Sequence, residues 1–405
     1  MPRKRVVTQT RGPLERVRIL DITRATAGPM ATMYLADLGA EVIKIETPVG
    51  SPGVSSRAQS DPRYTILGED YHFHTYNRNK KSIVIDLRQP EGKELFLGLV
   101  KKSDIVFENF RPGVMKRLGL GYDTLSKINP KIVYCCLSGF GQDGPHRDKP
   151  AFDLVVQAMS GILDICGRRD NERVYTPGVA TGDHWGGLLG CCGTLAALYS
   201  REVTGKGQMV DVSLLDGMVS FLSFLVTYQL NLGWFKERVD IQLWAGMKTK
   251  DGMVVVAAHR EGFWKNLCVA LGHEEWQTDP RFDTQEKRKT KRDMVLGVIE
   301  EVLKTKTTDE WLRILTEGDV PCCRLNTIAD AVVDPQVLHR NMIISVKHPS
   351  GVTLKMPGNP IKMSGTVEES FQFAPSLGQH TDQILTDLLG YPQDTISELR
   401  KKKVI

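Results

Sequence analysis

The residues best suited to chemistry lie in the stretch TPGVATGDHWGG, residues 176–187, where one acid, Asp183, sits among glycines with His184 and Trp185 behind it. The run fits neither a good helix nor an alternating strand, so Asp183 is expected on a bare turn. His184 beside it suggests an acid–base pair. Adjacent side chains rarely point at one another, however, and His184 reads better as a hydrogen-bonded structural histidine. A second group, ENFRPGVMKRLGLGYD, places Arg111, Lys116 and Arg117 around a turn next to Asn109 and Phe110. Cations with an aromatic after a strand suit phosphates and a base, although the same cluster is common as plain solvated surface. A third stretch, GFGQDG at 139–144, matches the glycine spacing of a dinucleotide loop. Pro145 follows instead of a helix, and no ribose-binding acid comes at the right distance, so the dinucleotide reading fails. The chain contains no G-x-S-x-G, zinc signature or P-loop.

The elements that must position these groups follow from hydrophobic periodicity. Strands are expected at 17–22, 42–46, 82–87, 104–109 and 131–140. They are rich in Val and Ile without clean alternation, as buried parallel strands are. Helical patterns separate them, so the first 140 residues read as a doubly wound α/β domain. In TAGPMATMYLADLGA, small residues stand where a backbone could approach a ligand at a strand's carboxyl end, or simply make a tight turn. A helix with an apolar face covers 153–164, a small-residue helix begins at WGGLLGCCGTLAALYS, and a strand then leads to a long apolar helix. The texture changes near 230. KTKDGMVVVAAH reads as a hairpin and 283–316 as charged helix whose basic run is a solvated face. Together they make a smaller α+β domain. A last helix is expected at 378–389, in a tail that returns to the first domain.

At 405 residues the chain exceeds the usual ceiling for one core, so two domains are expected. Its 53 basic and 48 acidic residues give a net charge of only +5. That balance does not point to nucleic acid but suits a polyanionic small molecule. No apolar run spans a bilayer, and the basic start lacks the apolar core of a secretory signal, so a cytoplasmic protein is expected. The eight cysteines, several of them adjacent pairs in apolar surroundings, read as buried free thiols rather than metal ligands.

Several pieces recur together and in order: ILDITRATAGPMATMYLADLGAEVIKIE, NRNKKSIVIDL, VFENFRPGVMKRLGLGYD, LSGFGQDGP, VVQAMSG, GVATGDHWGG, TGKGQMVDVSLLDGM and PSLGQHTDQIL. Over roughly residues 14–400 the set resembles the family III coenzyme A transferases, the superfamily of formyl-CoA transferase, carnitine CoA-transferase and α-methylacyl-CoA racemase. The resemblance implies a Rossmann-like large domain and a smaller α+β domain, with each chain an open ring interlocked with a second chain. The large domain would comprise 1–225 and a return segment, 336–405, with the small domain at 226–335. The partner is expected to be an identical chain or a paralogous subunit, and the active site to lie between the large domain of one and the small domain of the other.

The resemblance further implies transfer of coenzyme A from an acyl-CoA donor to a carboxylic acid. Succinyl-CoA is the expected donor, and a dicarboxylate or aryl-substituted succinate the acceptor. Asp183 would be the nucleophile, passing through an aspartyl anhydride and an aspartyl-CoA thioester. The glycine-rich surroundings would let backbone N–H groups reach the developing oxyanions. Coenzyme A enters as the thioester substrate, and no permanently bound cofactor, metal, nucleic acid or membrane is expected. Positions carried over for coenzyme A binding are Ala25, Ile85, Arg88, Asn109, Phe110, Arg117 and Leu118. Arg88 and Arg117 would meet phosphates, and Ile85 would line the adenine slot. Arg24 or His184 would receive a distal carboxylate. The racemase branch needs a histidine where this chain has Phe152, and phenylalanine cannot shuttle a proton. Two further departures stand out: Thr47 replaces an arginine that some relatives turn toward the phosphates, and the segment before the KTKDG hairpin is short for a glycine-rich lid. A catalytically silent CoA-binding subunit is the remaining alternative.

Overall fold

The computed structural model describes residues 12–48, 57–58, 61–170, 173–233, 244–366 and 370–405. The polypeptide divides into two units, one made of residues 1–231 with 341–405, the other of 232–340.

In the larger unit β1 (Arg18–Asp21), α1 (Ala27–Asp37) and β2 (Glu41–Glu46) make the first crossover, and α2 (Tyr71–Tyr76) leads into β3 (Lys80–Val84). Then come α3 (Pro90–Val100), β4 (Ile105–Glu108), α4 (Val114–Arg117), α5 (Tyr122–Ile128) and β5 (Val133–Ser138). The long helix α7 (Thr181–Thr204), preceded by α6 (Asp153–Ser160), runs down to β6 (Met209–Ser213) and α8 (Leu214–Phe221). The sheet order is β6-β5-β4-β1-β2-β3, and every pairing is parallel. Chain order runs outward from β1 to β3, then returns to β4 on the other side of β1. The carboxyl ends of β1 and β4 therefore flank the switch point, where open α/β sheets bind ligands.

Both faces of the sheet are buried, which explains the continuous apolar strands. Leu20, Ile43, Ile83 and Val106 pack with Phe96 and Leu99 of α3 on one face. Ile19, Val42, Ile105 and Phe107 pack with α1 and α7 on the other. Each such fully buried aliphatic contributes about 1.5–3 kcal/mol. The first face is completed from far along the chain, by Ile384 and Leu385 of α12 (Thr381–Leu389), Ile396 and Leu399 of α13 (Gln393–Lys401), and Val404. The hairpin β10 (Ile343–Lys347) and β11 (Thr353–Pro357) also belongs to this unit. It is tied down by buried Arg78, which donates to Asp37 at 2.6 Å and to the Pro357 carbonyl at 2.7 Å.

The smaller unit is an antiparallel sheet of β7 (Trp244–Lys248), β8 (Met253–Ala257) and β9 (Cys322–Arg324), covered by α9 (Glu261–Leu271), α10 (Arg292–Leu303) and α11 (Thr308–Glu317). Trp264, Phe282 and Trp311 fill its core, and the Trp311 indole donates to the Leu303 carbonyl at 2.7 Å. The charged stretch 283–316 is three helices rather than one, because Thr284 and the Thr307–Glu310 capping box each start a new one.

The cysteine expectation needs correction. Cys135, Cys136, Cys191 and Cys268 are buried, whereas Cys166, Cys192 and Cys323 are exposed. Among the described residues no His, Cys, Asp or Glu group is arranged to hold a metal, and no helix is long and apolar enough to cross a membrane. Most of the expected lid segment, 234–243, lies outside the described residues.

Candidate active site

Asp183 does not sit on a bare turn. It lies in the first turn of α7, a 24-residue helix that starts at Thr181. Its glycines lower intrinsic helix propensity, but close packing requires them. A Cβ on Gly186 would stand 2.3 Å from Leu214, and one on Gly187 would stand 2.5 Å from the Ala27 carbonyl oxygen. The helix gains its contact with α1 and α8 by leaving those side chains out.

Ala180, at the N-cap, offers no side-chain acceptor. The cap comes from another helix: Asp153 Oδ1 accepts from the amides of Gly182 (2.8 Å) and Asp183 (3.1 Å). The Thr181 amide donates to the Val179 carbonyl and that of His184 to Ala180. All four amides of this turn are thus engaged inside the protein. Of the glycine-rich backbone expected to supply oxyanion donors, the amides of residues 181–184 are therefore already occupied. Gly186 and Gly187 serve packing, and the Gly182 and Asp183 amides serve the cap.

Burial and the cap together set the charge state of the site. Burial raises the Asp183 carboxyl first and the neighbouring Asp153 charge raises it further. His184 and a hydrogen bond from Thr26 oppose them, and the result is about 6. The Thr26 hydroxyl also lies 3.0 Å from His72 Nε2, a contact in which either group can donate. His184 Nδ1 lies 2.7 Å from the Ala180 carbonyl, which can only accept, so Nδ1 carries the proton. In the neutral ring Nε2 then accepts from the Tyr76 hydroxyl at 3.0 Å. Such a doubly bonded ring is a structural histidine rather than the base of a dyad. Burial lowers His72 and raises Tyr76, keeping both uncharged around the acid. Sequence reading missed Thr26, His72 and Tyr76, although the four-residue spacing of His72 and Tyr76 puts them on one face of α2.

The residues expected to bind coenzyme A gather along the carboxyl edge. Ala25 follows β1 in the left-handed region at φ 59°, a conformation that costs about 1–2 kcal/mol without glycine. Asn109, after β4, holds that turn by accepting from the Arg24 amide and donating to its carbonyl, both at 2.8 Å. Asp21 anchors the turn from below through the Thr23 amide (2.8 Å) and hydroxyl (2.5 Å). The Arg24 guanidinium lies 5.4 Å from the Phe110 ring centre. Arg117 ends α4 exposed, and Leu118 packs partly against the core. Arg88 is exposed beside β3 and is paired with Asp86 at 2.8 Å. Ile85 departs from expectation: it is 1 % exposed and belongs to the core, so only its main chain can serve an adenine slot. Thr47 directly follows β2.

The comparisons with known proteins agree on one family. The family model described as CoA-transferase family III matches residues 14–381. A succinyl-CoA:glutarate CoA-transferase from Homo sapiens is 34% identical over 398 residues, covering 97% of this chain and 90% of that protein. A succinyl-CoA–D-citramalate CoA-transferase from Chloroflexus aurantiacus is 36% identical over 400 residues, covering 97% and 98%. The crystal structure of a CAIB/BAIF family protein from Brucella suis superposes with a TM-score of 0.80 at 32% identity, covering 94% of this chain and all of that one.

Proposed function

The chain belongs to CoA-transferase family III, and on that premise we propose that it moves coenzyme A from succinyl-CoA to a dicarboxylic acid, with Asp183 as covalent nucleophile. The observation that carries this reading is the placement of Asp183 in the first turn of α7 against Asp153, where burial and that neighbouring acid raise its carboxyl to about 6. A carboxylate is a poor nucleophile in water. One that is partly desolvated, still mostly ionised at neutral pH and more basic than usual is a better one.

The steps conserve the thioester's bond energy. Asp183 Oδ attacks the acyl carbonyl, the C–S bond breaks, and the CoA thiolate leaves behind a mixed anhydride. The thiolate then attacks the aspartyl carbonyl, releasing the first carboxylate and leaving an aspartyl-CoA thioester. The acceptor carboxylate attacks that thioester and re-forms an anhydride. Thiolate attack on its acyl carbon then yields the new CoA ester and free Asp183. Ala25, Arg88, Asn109, Phe110, Arg117, Leu118 and the main chain at Ile85 would hold the coenzyme. The succinyl-CoA part of the reading draws on the names of the human and Chloroflexus relatives.

Phe152, 77 % exposed at the start of α6, has no proton to exchange and argues against racemisation. Leu154, Val155 and Met159 of α6 are exposed, as are Tyr199 and Val203 of α7 and Phe221 of α8. That much unpaired apolar surface in one unit supports a second chain packed over it, as the interlocked dimer requires.

Incubation with succinyl-CoA followed by hydroxylamine or borohydride trapping is expected to leave an adduct on Asp183, read by mass spectrometry. Asp183→Ala should lose at least about three orders of magnitude in kcat. Full activity in that variant, with no adduct in the wild type, would sink the reading. Deuterium entry at the α-carbon without acyl exchange would favour the isomerase instead.

A further inference from the structure

We propose that Arg147 joins Arg117 in a phosphate clamp for the coenzyme, deepening the transfer reading and resting on it. Arg147 lies in the loop after β5, just past the stretch 139–144 whose dinucleotide reading fails. Gly113 lies in the loop after β4, the neighbouring strand, four residues beyond Asn109. It takes φ +82° and opens α4. A Cβ built on Gly113 would find two atoms within 4 Å, Arg117 Nη1 at 3.1 Å and Arg147 Nη2 at 3.5 Å. The two guanidinium nitrogens therefore stand within about 7 Å of each other across a spot that glycine leaves clear.

Among the described residues no close acid neutralises them. Among the described residues Arg117 makes no ion pair. Arg147 meets only Asp148, at 3.9 Å, with that acid 82 % exposed and the arginine 42 %. Such a contact is worth little in water. The Arg147 Nε is buried and makes no hydrogen bond. Two like charges converging on one clear spot, each with free N–H groups, match the geometry of an anion with several acceptor oxygens. The spot lies in the loop that Asn109 and Phe110 begin after β4, so a phosphate of coenzyme A is the occupant of suitable charge.

The test is calorimetric binding of coenzyme A, 3′-dephospho-coenzyme A and pantetheine to the full chain at fixed ionic strength. Arg147→Ala should weaken coenzyme A by about 5- to 30-fold and leave pantetheine unchanged. Arg147→Lys should recover part of the loss, because charge survives while the planar fork does not. A loss confined to coenzyme A places the clamp on the 3′-phosphate, and an equal loss for dephospho-coenzyme A places it on the diphosphate. Coenzyme A binding within two-fold of wild type in Arg147→Ala, or an equal loss in the exposed neighbour variant Lys149→Ala, overturns the clamp. Failure of the wild type to bind coenzyme A at all would instead overturn the transfer reading beneath it.

Discussion

Two aspartates at the carboxyl side of the sheet, Asp21 and Asp183, are both drawn away from water, yet their carboxyl pKa values move in opposite directions. Burial pushes each carboxyl up. At Asp21 the ammonium groups of Lys44 and Lys80, with hydrogen bonds from Thr23 and Lys80, outweigh burial and hold it well below the usual range. Lys80 Nζ sits 2.9 Å from Asp21 and also bonds Thr32, Asn77 and the Pro29 carbonyl. At Asp183 the strongest neighbouring charge is another acid, and among the described residues no ammonium or guanidinium opposes the burial. One site uses its polar groups to fix a turn, the other withholds cations so that a carboxylate stays reactive. The difference teaches where to look for chemistry: a buried acid fully matched by bases is architecture, and one left short of them is a candidate reagent.

The contrast can be broken most forcefully at Asp21. Asp21→Asn leaves two buried ammonium groups without their carboxylate and should cost about 3–5 kcal/mol in denaturant unfolding. A cost under about 1 kcal/mol would show that the network holds nothing in place. Asp183→Asn should act in the opposite direction. The folded carboxyl titrates near 6 against an ordinary 3.8, so the native state binds the proton more tightly and stability falls as pH rises through that window. Removing the charge should therefore stabilise the protein by about 1–2 kcal/mol at pH 7.5, after allowance for partial solvent access. The advantage should vanish below about pH 4, and a variant less stable at pH 7.5 would contradict it. The smallest effect concerns Thr26. Wild-type kcat/KM should fall as pH drops through about 6, because the protonated acid cannot attack. Thr26→Ala removes a donor to the charged form, so that limb should move to higher pH by roughly half a unit. A limb that stays put would separate Thr26 from the nucleophile.

Much of this architecture is legible in the sequence alone. The buried parallel strands announce themselves through Val and Ile, and Asp183 stands out as a lone acid. The helix around it is hidden for a physical reason. Gly182, Gly186, Gly187 and Gly190 argue against helix locally, and only the neighbours that they touch, Val156, Leu214, Ala27 and Phe107, reverse that preference. The role of Asp153 is equally hidden, because it caps a helix that begins 28 positions later in the chain. Ile85 goes the other way: its motif position suggests a ligand, but strand geometry turns it into the core. Convergences such as Arg117 with Arg147 arise from adjacent strand ends and leave no spacing signal in sequence.

The return of residues 341–405 to the larger unit has a consequence for synthesis. During translation the 232–340 unit emerges as one uninterrupted piece with its own core of Trp264, Phe282 and Trp311. The larger unit emerges first, yet its face over β3 and α3 stays open until Ile384, Ile396 and Val404 leave the ribosome. The Val404 carbonyl is itself the acceptor for the Asp86 amide, two residues from Arg88. The nascent chain thus carries an exposed apolar flank until residues 384–404 are made, while the piece made in the middle is free to finish ahead of the piece that began first.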